Sequence, residues 1–212
     1  MITAVLWDFG GVILSSPFEA FNHYEHHNGL PLDFIRRVNA TEPDVNAWAR
    51  LERAELSHEA FDEAFAAESA ALGHEVPGAD VLALLAGEVR PEMVRALTRV
   101  QEAGYKTACL TNNIVSRDDD GAATDSRPEV TAVMARFDVV VESSKIGVRK
   151  PEPEFYARAC ELLGVTPPEC VFIDDLGINL KPARDMGMTT IKVGEPGPAI
   201  EELSRILDLP LT

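Results

Sequence analysis

The sequence predicts an α/β fold: a doubly wound parallel sheet with a small all-helical cap inserted after the first strand. Three observations carry this reading. Short apolar runs rich in β-branched residues alternate with stretches of helical spacing, the pattern of a parallel sheet covered on both faces. The first run, Val5-Leu6-Trp7, stops at Asp8, and Gly10 and Gly11 follow at once. A buried parallel strand reads this way when it ends in a tight loop, and open α/β sheets bind ligands at that edge. Residues 17 to about 87, by contrast, show helical spacing and no strand pattern.

The elements follow in order. The first strand covers residues 3–7. In the insert, Phe18, Phe21 and Tyr24, then Phe34 and Val38, then Trp48 and Leu51, then Phe61 and Phe65 recur at helical spacing. Helix starts are signalled at Pro31-Leu32-Asp33 and at Ser57, a cap without the acid that would complete a capping box. The α/β pattern resumes at Pro91, which opens a helix closed by Gly104. A strand at 105–110 ends in Thr111-Asn112-Asn113, and the polar stretch 116–127, with three successive aspartates, reads as a loop. A helix at 128–136, a strand at 138–141 and a helix at 154–163 come next, the last opened by Pro153. The strand from Cys170 to Ile173 ends in Asp174-Asp175. Pro182 predicts a break or late start in the helix at 176–186. A strand at 188–193 and an amphipathic helix at 200–207 complete the order. The division is a core of residues 1–16 and 88–212 and a cap of 17–87.

The 212 residues, 46% hydrophobic, are enough for a substantial core. No apolar run approaches the ~20 residues that span a bilayer. Asp8 interrupts the N-terminal apolar run and no basic region precedes it, so no signal peptide is expected. Cys109, Cys160 and Cys170 lie in apolar surroundings without metal-site spacing, as free thiols of a reducing cytoplasm do. A net charge of −16, from 35 acids and 19 bases, argues against nucleic-acid or anionic-membrane partners. It also means that an anionic substrate needs a local positive device. His23, His26 and His27 cluster in the first insert helix without further ligands at metal spacing, so they read as a solvated face.

Three strands thus end in polar residues: Asp8, then Thr111-Asn112, then Asp174-Asp175. In a parallel sheet their tips share one edge. With Lys150, in a proline-rich turn, the edge carries three carboxylates, a hydroxyl, an amide and an ammonium. Such carboxylates repel one another unless a cation is present, and hard oxygen donors select Mg²⁺ over zinc. A cation and an ammonium beside a strand-tip carboxylate suit attack by that carboxylate on a phosphoryl group. Taken singly, the same residues are ordinary turn formers, a surface lysine and a helix cap.

On these motifs the chain resembles the haloacid dehalogenase superfamily, most members of which are phosphatases. Asp8-Phe9-Gly10-Gly11-Val12 is similar to its first motif and Leu110-Thr111-Asn112 to its second. Lys150-Pro151 is similar to the third and Phe172-Ile173-Asp174-Asp175 to the fourth. Leu110 to Asn113, Arg149 to Pro153 and Asp174-Asp175 through Asp185 further resemble the N-terminal phosphatase domain of soluble epoxide hydrolases. The resemblance implies a Mg²⁺-dependent phosphatase acting on a small phosphorylated molecule, with Asp8 as the nucleophile that becomes an aspartyl-phosphate. It implies metal binding by Asp8, the Gly10 carbonyl, Asp174 and Asp175. It also implies phosphate binding by Gly11, Thr111, the Asn112 backbone amide and Lys150, with Asp8, Thr111 and Lys150 as the catalytic set.

One departure stands out. These phosphatases usually carry a second acid two residues after the nucleophile, where this chain has Gly10. A glycine carbonyl serves a metal equally well, but the general acid for the leaving oxygen is missing, a contribution of ~10²–10⁴-fold. The expectation is a preference for aryl, acyl or anomeric phosphates, or a proton supplied by His23 or His26. Two rival readings follow from Gly10: a 2-haloacid dehalogenase, and a non-catalytic phosphate- or metal-binding protein. The apolar residues of the insert leave two packings open, on the core or on a second copy in a homodimer.

Overall fold

A computed structural model of the chain describes residues 1–113 and 127–211. The predicted loop at 116–127 therefore lies outside the described residues except for Arg127. Strand β1 (Ala4–Trp7) is the centre of a five-stranded, all-parallel sheet of order β3-β2-β1-β4-β5. After β1 come five helices: α1 (Phe18–His27), α2 (Phe34–Ala40), α3 (Ala47–Glu52), α4 (His58–Ala71) and α5 (Gly78–Ala83). The chain then returns to the sheet through α6 (Pro91–Glu102), β2 (Lys106–Thr111), α7 (Pro128–Met134), β3 (Val139–Glu142), α8 (Ser143–Ile146) and α9 (Pro153–Leu163). It ends with β4 (Cys170–Asp174), α10 (Gly177–Asp185), β5 (Thr189–Lys192) and α11 (Pro196–Leu207). The doubly wound α/β fold expected from the alternation is the one observed.

Each face of the sheet has its own core, because successive side chains of a strand point to opposite faces. Val5, Trp7, Cys109, Val171 and Ile173 pack with α6 and α11 on one side. Ala4, Leu6, Ala108, Leu110 and Phe172 pack with α9 and α10 on the other. The five helices after β1 bury a third cluster, including Phe21, Phe34, Ile35, Leu51, Phe61 and Phe65. Within it, the buried Glu25 of α1 accepts the Asp33 and Ile35 amides at 2.7 and 2.9 Å and so caps α2. Asp33, expected to start that helix, instead has a φ of 60° and makes no side-chain cap.

The connectors to this helical segment run side by side. Ser15 donates its amide to Glu88 and Arg90 to Ile13, both at 2.8 Å. A Cβ on Gly87 would lie 2.6 Å from the Ser15 carbonyl oxygen, so the close approach needs glycine.

Several boundaries differ from expectation for identifiable reasons. β2 begins at Lys106 rather than Tyr105 and gains Thr111, and β4 gains Asp174, because Thr111 pairs with Glu142 and Asp174 with Lys192. The ladder therefore carries both site residues inside strands. α10 runs through Pro182 without a break. The carbonyl that proline deprives of a donor belongs to Ile178, 57% exposed, where water can satisfy it. α11 begins at Pro196 rather than 200, proline being well suited to a first helical turn. Among the described residues no helix is long and apolar enough to cross a membrane.

Candidate active site

Register places the site. Trp7 stands opposite Cys109 on one side and Ile173 on the other, so the tips of β2, β1 and β4 arrive together. Asp8 donates its amide to the Ile173 carbonyl at 2.8 Å, extending the ladder to the nucleophile candidate. Its Oδ1 accepts the Phe9 amide at 2.6 Å and faces Lys150 Nζ at 2.7 Å. Residues 9–13 form a wide turn closed by the Leu14 amide on the Phe9 carbonyl at 2.8 Å. In it Gly11 has a φ of 77°, and a Cβ there would collide with the Asp175 carboxylate. Glycine at 11 thus serves both the backbone and the space that Asp175 occupies.

Lys150 is 1% exposed and divides its ammonium between Asp8 and Asp174, the latter at 2.9 Å. Its backbone is clamped by Asn112, whose Oδ1 accepts the Lys150 amide at 2.9 Å while Nδ2 donates to the Lys150 carbonyl at 3.0 Å. Asp174 is held in turn by Asn179 Nδ2 at 3.0 and 3.1 Å and by the Leu176 amide at 2.8 Å. Tyr156 donates its hydroxyl to the Asn179 carbonyl at 2.7 Å. Thr111 is buried at the tip of β2, and Gly10 is exposed.

The electrostatics are those of three acids around one ammonium. Burial pushes the Asp8 carboxyl well above the usual carboxylate range; Asp174 and Asp175 add to this and Lys150 opposes it. Burial, reinforced by Asp174, raises Asp175 to about 6. Burial alone would lower Lys150, but Asp174 and Asp8 outweigh it and hold the ammonium charged. Carboxylate oxygens of Asp8, Asp174 and Asp175 lie within 4.8 Å of one another. This set of hard oxygen donors fits a divalent cation such as Mg²⁺, and its excess of negative charge is what such a cation relieves.

The structure therefore brings together Asp8, Gly11, Lys150, Asp174 and Asp175, with Asn112 bound to Lys150. It does not bring the insert histidines there. His23 and His26 are exposed on α1 and line a groove of about 540 Å³ with Ala20, Tyr24, His27, Asn28 and Leu84. Two participants carried no signal of their own: Arg90, whose Nη1 donates to the Gly11 carbonyl at 3.1 Å, and Glu52 of α3, while Asn179 lay in a recognised stretch without a role. Arg149, next to Lys150, stood inside a recognised motif without a role.

A family model described as haloacid dehalogenase-like hydrolase matches residues 2–187. The chain belongs to this family. Acyl-CoA dehydrogenase family member 10 from Mus musculus is 34% identical over 214 residues, covering 98% of this chain and 19% of that protein. Bifunctional epoxide hydrolase 2 from the same species is 32% identical, covering 94% of this chain and 38% of that one. The chain thus spans well under half the length of both. A protein named as a phosphatase from Mycobacterium tuberculosis is 30% identical, covering 92% of this chain and 89% of its own. Among solved structures, a family enzyme from Bacteroides thetaiotaomicron, in complex with magnesium and inorganic phosphate, superposes with a TM-score of 0.60 at 20% identity, covering 93% and 96% of the two chains. The L-2-haloacid dehalogenase of Xanthobacter autotrophicus superposes with 0.58 at 21% identity, covering 100% and 85%. At these identities the structural likeness concerns the fold.

The raised Asp175 pKa has a measurable consequence. In metal-free protein its folded value, about 6, exceeds the ordinary 3.8. Its stabilising contribution is complete below about pH 4 and is lost as the pH rises through about 6. In chelator, the melting temperature of the native protein relative to Asp175→Asn should fall across that window. Added Mg²⁺ should stabilise the native protein more at pH 7 than at pH 5. A difference between the two proteins that stays flat from pH 4 to 7 would show that Asp175 titrates normally.

Proposed function

We propose that this hydrolase is a Mg²⁺-dependent phosphatase of small phosphomonoesters that works through an aspartyl-phosphate on Asp8. The observation that carries the reading is the Lys150 ammonium held between Asp8 and Asp174, with the Asp175 carboxylate beside them. The similarity to a phosphatase over most of both chains supports it. Asp8, the Gly10 carbonyl, Asp174 and Asp175 are assigned to the metal, which when bound supplies positive charge to the phosphoryl oxygens.

In the first step an Asp8 oxygen bonds to phosphorus as the bond to the leaving oxygen breaks, and the leaving group departs with the electron pair. Water then attacks phosphorus and releases inorganic phosphate and free Asp8. Lys150 favours the ionised form of Asp8 and orients it, and it balances charge as the phosphoryl group transfers. The Thr111 hydroxyl, Gly11 and the Asn112 amide are assigned to the phosphoryl oxygens. The helical segment 17–87 is assigned as the cap that selects the substrate. Its acidic surroundings fit a small phosphorylated molecule rather than nucleic acid or membrane, and the buried free thiols fit a cytoplasmic setting.

A 2-haloacid dehalogenase is the second reading, favoured by Gly10. It is disfavoured because carboxylates without a cation repel an anionic haloacid.

Phosphate release from para-nitrophenyl phosphate should require Mg²⁺, stop in chelator and fall to background in Asp8→Asn. Metal-independent halide release from 2-chloropropionate would replace this reading with the dehalogenase. Intact Mg²⁺ binding without either product would leave a binding protein.

Gly10 offers a second test. A Cβ there meets nothing within 4 Å, and its φ of −71° and ψ of 132° suit any residue. Gly10→Asp should therefore fold normally and raise hydrolysis of a simple alkyl phosphate by ~10²-fold or more, as a restored general acid does. Release from the aryl ester should change little. Unchanged alkyl turnover would show that protonation of the leaving group is supplied elsewhere.

A further inference from the structure

We propose that Glu52, in the helical segment, is a positioning residue: through Asn112 it fixes the backbone from which Lys150 reaches Asp8. The inference rests on the roles assigned above to Asp8 and Lys150.

Glu52 sits where a carboxylate is disfavoured. It is the last residue of α3, at the negative end of the helix dipole, and is 6% exposed. A buried carboxylate persists there only if it is fully partnered. Its Oε1 accepts Trp48 Nε1 at 2.9 Å, four residues back on the same helix. Its Oε2 accepts Arg149 Nε at 2.5 Å and Asn112 Nδ2 at 3.2 Å. Its backbone carbonyl accepts the Ser143 hydroxyl at 2.7 Å. Arg149 also donates Nη1 to the Pro43 carbonyl at 3.0 Å, so the tie has a second strand.

The chemistry of the amide makes this tie directional. A carboxylate accepts hydrogen bonds and cannot donate them, so Glu52 selects the Asn112 orientation that turns Nδ2 toward it. In that orientation the second Nδ2 hydrogen reaches the Lys150 carbonyl and Oδ1 receives the Lys150 amide. The reversed amide would set a donor against the Lys150 N–H. One carboxylate on the helical segment thus fixes both backbone hydrogen bonds of Lys150, whose ammonium lies 2.7 Å from Asp8. Its pairing also occupies Arg149, which would otherwise be a mostly buried guanidinium beside Lys150 without a carboxylate. Small displacements of a catalytic group are costly, since misplacement by about 1 Å reduces rates by up to ~10²-fold.

The test is Glu52→Gln, which keeps the shape and removes the acceptor-only character. In Mg²⁺, kcat for para-nitrophenyl phosphate should fall by about 10- to 100-fold with little change in KM. In an Asn112→Ala background the same substitution should cost less than about twofold, because the link is already cut. Equal losses in both backgrounds, or an unchanged kcat, would overturn the proposal. Amine labelling read by peptide mapping follows Lys150 without reference to turnover. Lys150 should become more reactive in Glu52→Gln than in the native protein, and unchanged protection would also overturn the link. If the native protein has no turnover at all, the phosphatase reading fails while the labelling result still decides this one. Should Glu52→Gln not fold, Arg149→Lys loosens the same tie from the core side and should show the same labelling change.

Discussion

The structure depends on one shared charge. The Lys150 ammonium is almost fully buried and lies within hydrogen-bonding distance of both Asp8 and Asp174. A lysine in that position stays charged only because two carboxylates outweigh its desolvation, and those carboxylates tolerate burial partly because of it. The arrangement requires the tips of β1 and β4 to be adjacent, which the central position of β1 provides. It also requires the Lys150 turn to be held over that edge, which Asn112 provides from the tip of β2. Three neighbouring strands and one turn are therefore organised by a single ammonium.

The pairing is incomplete, and the proposed function rests on that. Asp175 packs against the bare α-carbon of Gly11 and adds a third acid that Lys150 does not contact directly. Burial, reinforced by the neighbouring acids, raises the carboxyls of Asp8 and Asp175. A divalent cation would relieve the charge imbalance and leave Asp8 ionised, the state a nucleophile needs. The same imbalance weighs against chemistry that works on an anionic substrate without a metal.

The strand-tip acids were legible in the sequence because each ends an apolar run, and parallel strands deliver their tips to one edge. Lys150 was legible from the proline-rich turn around it and the order of the motifs. What escaped was the support. Glu52 and Arg149 are 97 residues apart, and no local pattern marks a long-range ion pair. Asn112 was read through its backbone amide, whereas its side chain is spent on Lys150. Asn179 lay in a recognised stretch but had no role assigned, although it donates to both oxygens of Asp174. The insert histidines, read as a solvated face, are exposed on α1, because nothing in their spacing supplied the partners that burial would require.

The central claim is that Asp8 is the atom-bearing nucleophile of a cation-completed site. Its most direct test is a single turnover of a phosphate ester quenched in acid, followed by peptide mapping for a covalent phosphoryl group. The account predicts the adduct on the Asp8 peptide when Mg²⁺ is present and none in chelator. An adduct on another residue, or phosphate formed with no covalent species under conditions that preserve acyl phosphates, would contradict it.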